Sequence, residues 1–394
     1  FGSSFWGKSL LIGPAPFLLR MRMAEQETED PPAWFTANVA APRADRWVDV
    51  RGTAIHYLRW QQRTLTTTAK RAGLILVHGN SAHAHWWTHI APFFTMEYDV
   101  VALSNSGSGE SGWRETYSFD IWADEIMGVA ADAGMLDAGT RRCKPIVVAH
   151  SMGVCIALAA AKRHVDELGG LILLDDLPRP PGFFDAWRPS AEAKFTEHRV
   201  RSQDEDVRKL FRLMPPQKEV NRFLLDFVAD RSTRPADDGR GGWTWSYDPQ
   251  KRSKIQSISK LPASAVTYLS TKTIRSLDLR IAFIIGDRSA ILPREVIEYS
   301  RHSLGDEFPI IELRDCAHHL MFDQPLALVA AVEGLLGEWR RSQVVTVSGK
   351  VLPRADSRAS QSDFDVATTS ELTWKKFGFP SRPRSLARSN ASRL

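Results

Sequence analysis

Along the chain, short and mostly apolar runs alternate with segments whose apolar residues recur at helical spacing. The runs lie at residues 73–77, 99–103, 145–149, 170–174, 280–285 and 309–313. Runs that are apolar on both faces are typical of parallel strands covered by helices on both sides. The pattern therefore predicts an α/β fold with a mostly parallel sheet flanked by helices.

A predicted hairpin precedes these strands, one predicted helix lies among them, and another follows them. Residues 47–60 form two strand-like runs that meet at Gly52, which predicts an antiparallel hairpin at the start of the fold. Residues 117–133 carry apolar positions at helical spacing, and residues 326–340 are predicted to form a closing helix.

The alternation is interrupted after the run at 170–174 by a segment that is charged, rich in proline and tryptophan, and helical in pattern at 206–213 and 220–229. The sheet pattern resumes at Arg280, so this segment is an insertion. The predicted organisation is a poorly ordered leader at 1–44, a core at 45–176 and 279–340, an inserted helical cap at 177–278, and a basic, disordered tail at 341–394.

Composition allows a sizeable core and argues against a nucleic-acid partner. The chain is 43% hydrophobic and contains 13 tryptophans. Its net charge of +5 comes from the tail, where residues 341–394 hold ten Lys and Arg against four Asp and Glu. A charge confined to a tail says little about what the folded body binds, so we predict no nucleic-acid site.

The cysteines and the first residues favour a cytoplasmic protein. Cys143, Cys155 and Cys316 are odd in number and widely spaced, which argues against a disulfide framework. The apolar stretch at residues 9–19 contains two prolines and is too short to span a bilayer. We therefore predict a cytoplasmic location without stable membrane insertion.

The predicted strand at residues 145–149 leads through a tight turn at Ser151 into an alanine-rich segment at 155–161. Two small residues, Ala149 and Gly153, stand two positions before and after this serine. A serine at the tip of such a strained strand–turn–helix unit has its hydroxyl lifted clear of the sheet. Ser151 is therefore the candidate nucleophile.

Three separated motifs, in chain order, resemble those of the α/β-hydrolase superfamily over roughly residues 45–340. They are the pair His78-Gly79 after the third strand, the turn at Ser151, and residues 317–325. The resemblance is to the serine esterase and lipase-like branch, in which a helical cap is inserted after the sixth strand. It implies an α/β-hydrolase fold, a Ser–His–acid site and no required cofactor.

The base implied by this resemblance is His318, which lies in the third motif. The five-residue spacing from His318 to Asp323 matches the family, and the neighbouring His319 is the alternative. The oxyanion donors implied are the backbone N–H groups of Asn80 and Met152.

The acid departs from the usual pattern. In most relatives an aspartate lies three residues after the glycine that ends the seventh strand, and here that position is Ser289. Either the acid is Asp287, displaced by two residues, or it has moved to the end of the sixth strand, where Asp175 and Asp176 lie. Asp175 is preferred, Asp287 is the alternative and Asp176 is third.

Metal chemistry is not predicted. The cysteines show no zinc spacing, and His83, His85 and His89 have no Cys or acidic partner at ligand spacing. These histidines are expected to lie on a loop and at the start of a helix.

The expected activity is hydrolysis of a carboxylic ester of a small or medium apolar acyl group, through an acyl-enzyme on Ser151. Related dehalogenases and epoxide hydrolases need an aspartate nucleophile, so a serine at this position excludes both chemistries. A C–C bond hydrolase of the same fold and a non-catalytic ligand-binding relative are the alternatives.

Overall fold

The structure is a computed structural model that describes residues 30–60, 71–136, 144–181, 183, 200–218, 221–236, 241–255 and 268–342. The predicted leader before residue 30, the basic tail after residue 342, Cys143 and parts of the insertion lie outside these residues.

Eight strands form one sheet, and two further short strands pair with each other inside the insertion. The strands are β1 Ala44–Val50, β2 Thr53–Trp60, β3 Ala72–Val77, β4 Tyr98–Leu103, β5 Ile146–His150, β6 Gly170–Leu174, β7 Thr233–Pro235, β8 Trp243–Trp245, β9 Ile281–Gly286 and β10 Ile310–Leu313. The large sheet has the order β1-β2-β4-β3-β5-β6-β9-β10, and every pair from β4 onward is parallel. The predicted hairpin is confirmed as the antiparallel pair β1–β2, which joins the sheet antiparallel to β4.

The α-helices of the described residues are α1 Ala33–Val39, α2 Phe119–Asp132, α3 Met152–His164, α4 Val207–Leu210, α5 Arg222–Ala229, α6 Lys251–Lys254, α7 Thr271–Ser276, α8 Arg294–Leu304, α9 Leu320–Asp323 and α10 Pro325–Arg341. Short 3-10 helices span Ala84–Trp87, Ala91–Phe94, Val165–Glu167 and Gly305–Glu307. No helix in the described part of the chain combines the length and the apolarity needed to cross a bilayer.

The central strands supply both layers of the core, because successive side chains point to opposite faces of a sheet. In β3, Ile75 and Val77 pack into the layer that contains α2, α3 and α8. Leu74 and Leu76 of the same strand pack into the opposite layer, which contains α1, α5 and α10. The double burial explains why this strand is apolar at consecutive positions.

The fold begins earlier than the predicted core boundary at residue 45. Helix α1 lies in the segment predicted to be a poorly ordered leader, and its residue Phe35 is buried. The ring of Phe35 lies 4.8 Å from Phe223 and 5.7 Å from Phe227, both in α5 of the insertion. Aromatic packing against the insertion therefore stabilises this short helix.

The described part of the insertion does not join the large sheet. It contributes helices α4 to α7 and the antiparallel ribbon β7–β8. It follows β6 in the sequence and so begins at the edge of the sheet where the carboxyl ends of β5, β6 and β9 meet. In open α/β sheets these strand ends are where ligands bind.

Candidate active site

Ser151 lies on a strained turn between β5 and α3. Its backbone has φ 54° and ψ −124°, a conformation that costs energy for any residue with a side chain. The turn is held by the bond from Ser151 N–H to Leu174 O (3.0 Å). A Cβ added to Gly153 would lie 2.7 Å from His78 O, so glycine is required for the turn to pack this closely.

A chain of hydrogen bonds connects Ser151 to a histidine and an acid. His318 Nε2 lies 3.0 Å from Ser151 Oγ, and His318 Nδ1 lies 2.7 Å from Asp175 Oδ2. Asp175 follows the last residue of β6 and has a positive φ of 51°, which turns its side chain at the strand end. The three side chains thus have the order and distances of a nucleophile, a base and an orienting acid.

Asp175 is itself held by two donors from the segment after β9. Gly286 N–H donates to Asp175 Oδ1 at 2.9 Å, and Ser289 Oγ–H donates to Oδ2 at 2.6 Å. Ser289 occupies the position where most relatives have the acid. In this chain its hydroxyl supports the carboxylate that has taken the place beside His318.

The two other candidate acids have different partners. Asp287 Oδ1 accepts from the backbone N–H of Cys316 at 3.0 Å, which ties together two loops. Asp176 Oδ1 accepts from Arg179 at 2.6 Å and from Leu177 N–H at 3.1 Å. The geometry therefore favours Asp175.

Burial sets the electrostatics of the pair. It lowers the pKa of His318 to about 4, an effect opposed by the nearby charge of Asp176. Burial also raises the pKa of Asp175, while the donors Gly286 and Ser289 act in the opposite direction because they favour the ionised carboxylate. At neutral pH the His318 imidazole is therefore uncharged and able to accept a proton from Ser151.

The loop after β3 runs directly beside the nucleophile. A Cβ added to Gly79 would lie 3.0 Å from Ser151 Cβ. His78 Nε2 accepts from Asn105 N–H at 3.0 Å, so the proton is on His78 Nδ1, which donates to Gly79 O at 2.6 Å. Burial lowers the pKa of His78 to about 3, which keeps this neutral tautomer.

The carbonyl of Gly79, held by His78 Nδ1–H, determines the direction of the Asn80 N–H. Because the peptide is planar and trans, the Asn80 N–H points to the side opposite the Gly79 carbonyl. Met152 is the first residue of α3, and its N–H has no acceptor within the helix. These two backbone N–H groups are therefore the candidate oxyanion donors.

The loop that carries His318 is held from the core side by three side chains. His150 Nε2 donates to His318 O at 2.9 Å, and His89 Nε2 donates to Met321 O at 2.8 Å. Asp323 Oδ2 accepts from the N–H of Ala317 at 2.7 Å. The position of the imidazole is thus determined by a network rather than by its own rotamer alone.

The insertion holds the same loop from the other side. Gln217 Oε1 accepts from His319 N–H at 3.0 Å, and Gln217 Nε2 donates to Asp323 Oδ1 at 2.9 Å. Asn221 Nδ2 donates to Phe322 O at 2.5 Å. The position of His318 therefore depends on contacts made by the insertion as well as by the core.

A cavity of about 210 Å³ lies at this junction. It is lined by Pro215, Pro216, Gln217, Lys218, Arg288, Ala290, Asp315, Ala317, His318 and Asp323. The described residues thus leave space next to the histidine, between the insertion and the core loops.

His319 lies beside the pair but does not take part in it. Its ring centroid is 4.7 Å from His318 and 5.4 Å from Trp86, and the described contacts give it no bond to Ser151. Burial lowers its pKa well below the usual value. The geometry thus favours His318 over His319 as the base.

Sequence reasoning missed Ser289 and Gln217 as supporting residues. Both act through contacts between segments far apart in the chain, which no local motif reveals. It also did not identify His150 as a support of the His318 loop.

One group of residues at this site could hold a metal ion. A ring nitrogen from each of His150, His318 and His319 lies within 4.8 Å of the others. Both ring nitrogens of His318 are bonded, to Ser151 and Asp175. A metal ion here would compete with the chain of hydrogen bonds.

The model of the Alpha/beta hydrolase family matches residues 74–332, which include Ser151, Asp175 and His318. The match covers more than half of the chain, so this protein belongs to the alpha/beta hydrolase family.

Several characterised and solved relatives show how far this similarity extends. Lipase LipV of Mycobacterium tuberculosis is 24% identical over 277 residues, which cover 68% of this chain and 94% of the lipase. The crystal structure of E-2-(acetamidomethylene)succinate hydrolase has a TM-score of 0.60 at 16% identity, covering 75% of this chain and 100% of that one. A novel esterase from Mycobacterium tuberculosis has a TM-score of 0.54 at 21% identity, covering 77% of this chain and 97% of that one. At identities this low, the matches to solved structures establish the shared fold alone. Membership of the alpha/beta hydrolase family supports a hydrolase.

Proposed function

We propose that this protein is a serine esterase that hydrolyses a carboxylic ester of a small or medium apolar acyl group. The observation that carries the proposal is the unbroken contact from Ser151 Oγ to His318 Nε2 (3.0 Å) and from His318 Nδ1 to Asp175 (2.7 Å). This is the arrangement that activates a serine for acyl transfer.

In the first half-reaction, His318 Nε2 takes the proton of Ser151 as the oxygen attacks the ester carbonyl. The N–H groups of Asn80 and Met152 stabilise the oxyanion, and Asp175 stabilises the imidazolium. The imidazolium then protonates the leaving alkoxide, which departs as an alcohol. In the second half-reaction, His318 activates a water molecule that releases the acid from Ser151.

Aromatic side chains near the histidine support an apolar acyl group. Trp86 contacts His319 on one side and Phe211 of the insertion on the other, with ring centroids 5.4 Å and 6.5 Å apart. Phe211 in turn lies 6.2 Å from Trp245 in β8. These rings form an apolar cluster between the core and the insertion, and an apolar surface of this kind beside a site favours acyl carbon over water.

The names of the relatives support an ester over other bonds. Those names include a lipase and an esterase. The chemistry of an acyl-enzyme on serine is consistent with this choice because the alkoxide of an ester leaves readily.

The purified chain is expected to hydrolyse p-nitrophenyl acetate, butyrate and octanoate, with kcat/KM falling at palmitate. A fluorophosphonate should label the wild type on Ser151 and leave Ser151→Ala unlabelled. If the chain turns over a vinylogous C–C substrate but no ester, the protein is a C–C hydrolase and the proposal is wrong. If the chain shows no turnover and is not labelled, a ligand-binding role is favoured instead.

Gln217→Ala is expected to lower kcat up to about thirtyfold, because the loop of His318 loses two hydrogen bonds worth about 1 kcal/mol each. Lys218→Ala changes the neighbouring residue of the cavity, and its kcat should remain close to that of the wild type. The kcat of Gln217→Glu should lie between those of Gln217→Ala and Lys218→Ala, because the new side chain keeps an acceptor for His319 N–H but repels Asp323. Equal kcat values for Gln217→Ala and Lys218→Ala would show that the insertion does not position His318.

A further inference from the structure

The loop after β4 connects the loop after β3 to the insertion. It spans residues 104–112, which include four serines and three glycines, and we name it the serine loop. Asn105 N–H donates to His78 Nε2 at 3.0 Å. Two positions further on, Gly107 O accepts from the N–H of Asp248 in the insertion at 3.0 Å. The serine loop is therefore bound at once to the histidine beside the oxyanion donor and to the insertion.

A buried lysine adds a side-chain bond to this contact. Lys251, in α6 of the insertion, is 5% exposed, and its Nζ donates to Ser108 Oγ at 2.6 Å. Ser108 is fully buried. Among the described residues, this hydroxyl is the hydrogen-bond acceptor of the Lys251 ammonium group. The insertion thus holds the serine loop through a hydrogen bond that water does not reach.

Burial of this lysine costs free energy. It lowers the pKa of Lys251 to about 8, an effect opposed by the charges of Asp248 and Glu125. Both acids have another cationic partner, because Asp248 Oδ2 accepts from Lys254 Nζ at 2.9 Å and Glu125 Oε1 accepts from Arg114 Nε at 3.0 Å. Neither acid therefore loses its only partner if Lys251 is replaced. An apolar side chain of similar length should be tolerated there without loss of stability.

The serine loop connects Lys251 to the oxyanion donor. Asn105, three residues before Ser108, holds the His78 ring with its proton on Nδ1, and this Nδ1–H donates to Gly79 O at 2.6 Å. The Gly79 carbonyl in turn sets the direction of the Asn80 N–H, because the two groups belong to one planar peptide. A displaced serine loop would therefore release the His78 ring and turn the Asn80 N–H.

We propose that Lys251 and Ser108 are positioning residues for the oxyanion donor Asn80. They act through the serine loop and the ring of His78. This inference rests on the proposed function, in which the Asn80 N–H stabilises the oxyanion. Since Gln217 holds the loop of the base, the insertion supports both the base and the oxyanion donor.

The test compares Lys251→Met with the wild type, both as the full chain, on p-nitrophenyl butyrate. We expect kcat to fall at least about tenfold and KM to stay within about threefold, because an oxyanion donor acts on the transition state rather than on the bound substrate. The Ki of butylboronic acid, which forms a tetrahedral adduct on Ser151, should rise by a similar factor. The Tm should stay equal to that of the wild type or rise, whereas loss of a purely structural contact would lower it.

Lys254→Met is the matched control. Lys254 lies in the same short helix but donates to Asp248 instead of the serine loop, so its kcat should remain within about threefold of the wild type. Ser108→Ala removes the acceptor of the Lys251 bond and should lower kcat and raise the Ki in the same way. The double variant Lys251→Met/Ser108→Ala should be no slower than the slower single variant, because both changes break one bond. If Lys251→Met loses stability, the kcat and Ki of Ser108→Ala decide the question.

Two results would overturn the proposal. One is a wild-type kcat and Ki in both Lys251→Met and Ser108→Ala. The other is an equal loss of kcat and Tm in Lys251→Met and Lys254→Met, which would show a general loss of structure. If the wild type binds the boronic acid but hydrolyses no ester, the proposed function fails and the ratio of Ki values still tests this inference. A wild type that does neither contradicts both.

Discussion

Ser151→Ala and His318→Ala are each expected to lower kcat about a millionfold on the best ester substrate, with the fold intact. Without Ser151 there is no oxygen to form the acyl-enzyme. Without His318 the serine keeps its proton, because the contact at 3.0 Å between the two side chains provides the route for its removal. The double variant should be no slower than either single variant, since the two residues act as a unit.

The pH profile separates loss of the base from a general loss of structure. Burial lowers the pKa of His318 to about 4, so the kcat/KM of the wild type should fall only as the pH approaches that value, where the imidazole becomes protonated. The residual activity of His318→Ala should lack this acid limb.

His319→Gln is the matched control for this prediction. It alters the neighbouring histidine, which has no described bond to Ser151, and its kcat should stay within about tenfold of wild type. A millionfold loss in His319→Gln, with His318→Ala still active, would reverse the two assignments.

The fold was largely predictable because the buried strands are apolar at consecutive positions. β3, β5 and β6 follow the predicted runs to within one residue at each end. Helix α8 was not predicted, because only its buried residues Val296, Ile297 and Leu304 are strongly apolar among many charged and polar ones. Helix α1 was missed because its stability comes from packing against α5, a contact between residues far apart in sequence.

Site residues that are identified by their neighbours in the sequence could be predicted. Those that are identified by contacts between distant segments could not. The turn at Ser151 combines a strand, small neighbours and a helix in one stretch of sequence. The acid is different, because the sequence favoured Asp175 but left Asp287 in a loop and Asp176 at the same strand end as alternatives. Only three-dimensional contacts distinguish these carboxylates.

Asp175→Asn is expected to lower kcat about ten-thousandfold while leaving the fold intact. Gly286 N–H donates to Oδ1 of residue 175, so the amide oxygen of the Asn side chain will take that position and its NH₂ group will face His318. The His318 Nδ1 must then accept a hydrogen bond, which moves the ring proton to Nε2. An imidazole with that tautomer cannot take the proton of Ser151.

Asp287→Asn is the control for this change. Its carboxylate accepts from Cys316 N–H instead of contacting the histidine, so kcat should remain within about tenfold of wild type. A ten-thousandfold loss in Asp287→Asn, with Asp175→Asn nearly normal, would assign the orienting role to Asp287.

A second substitution tests whether a carboxylate is the missing element in Asp175→Asn. Ser289 Oγ lies 2.6 Å from Oδ2 of Asp175, the same oxygen that contacts His318 Nδ1 at 2.7 Å. A carboxylate at position 289 therefore lies within reach of the imidazole. We expect Asp175→Asn/Ser289→Asp to recover at least about tenfold of the lost kcat, because the charge again stabilises the imidazolium. Ser289→Ala in the same Asp175→Asn background should recover nothing, and an equal recovery there would show that relief of packing, not charge, restores the rate.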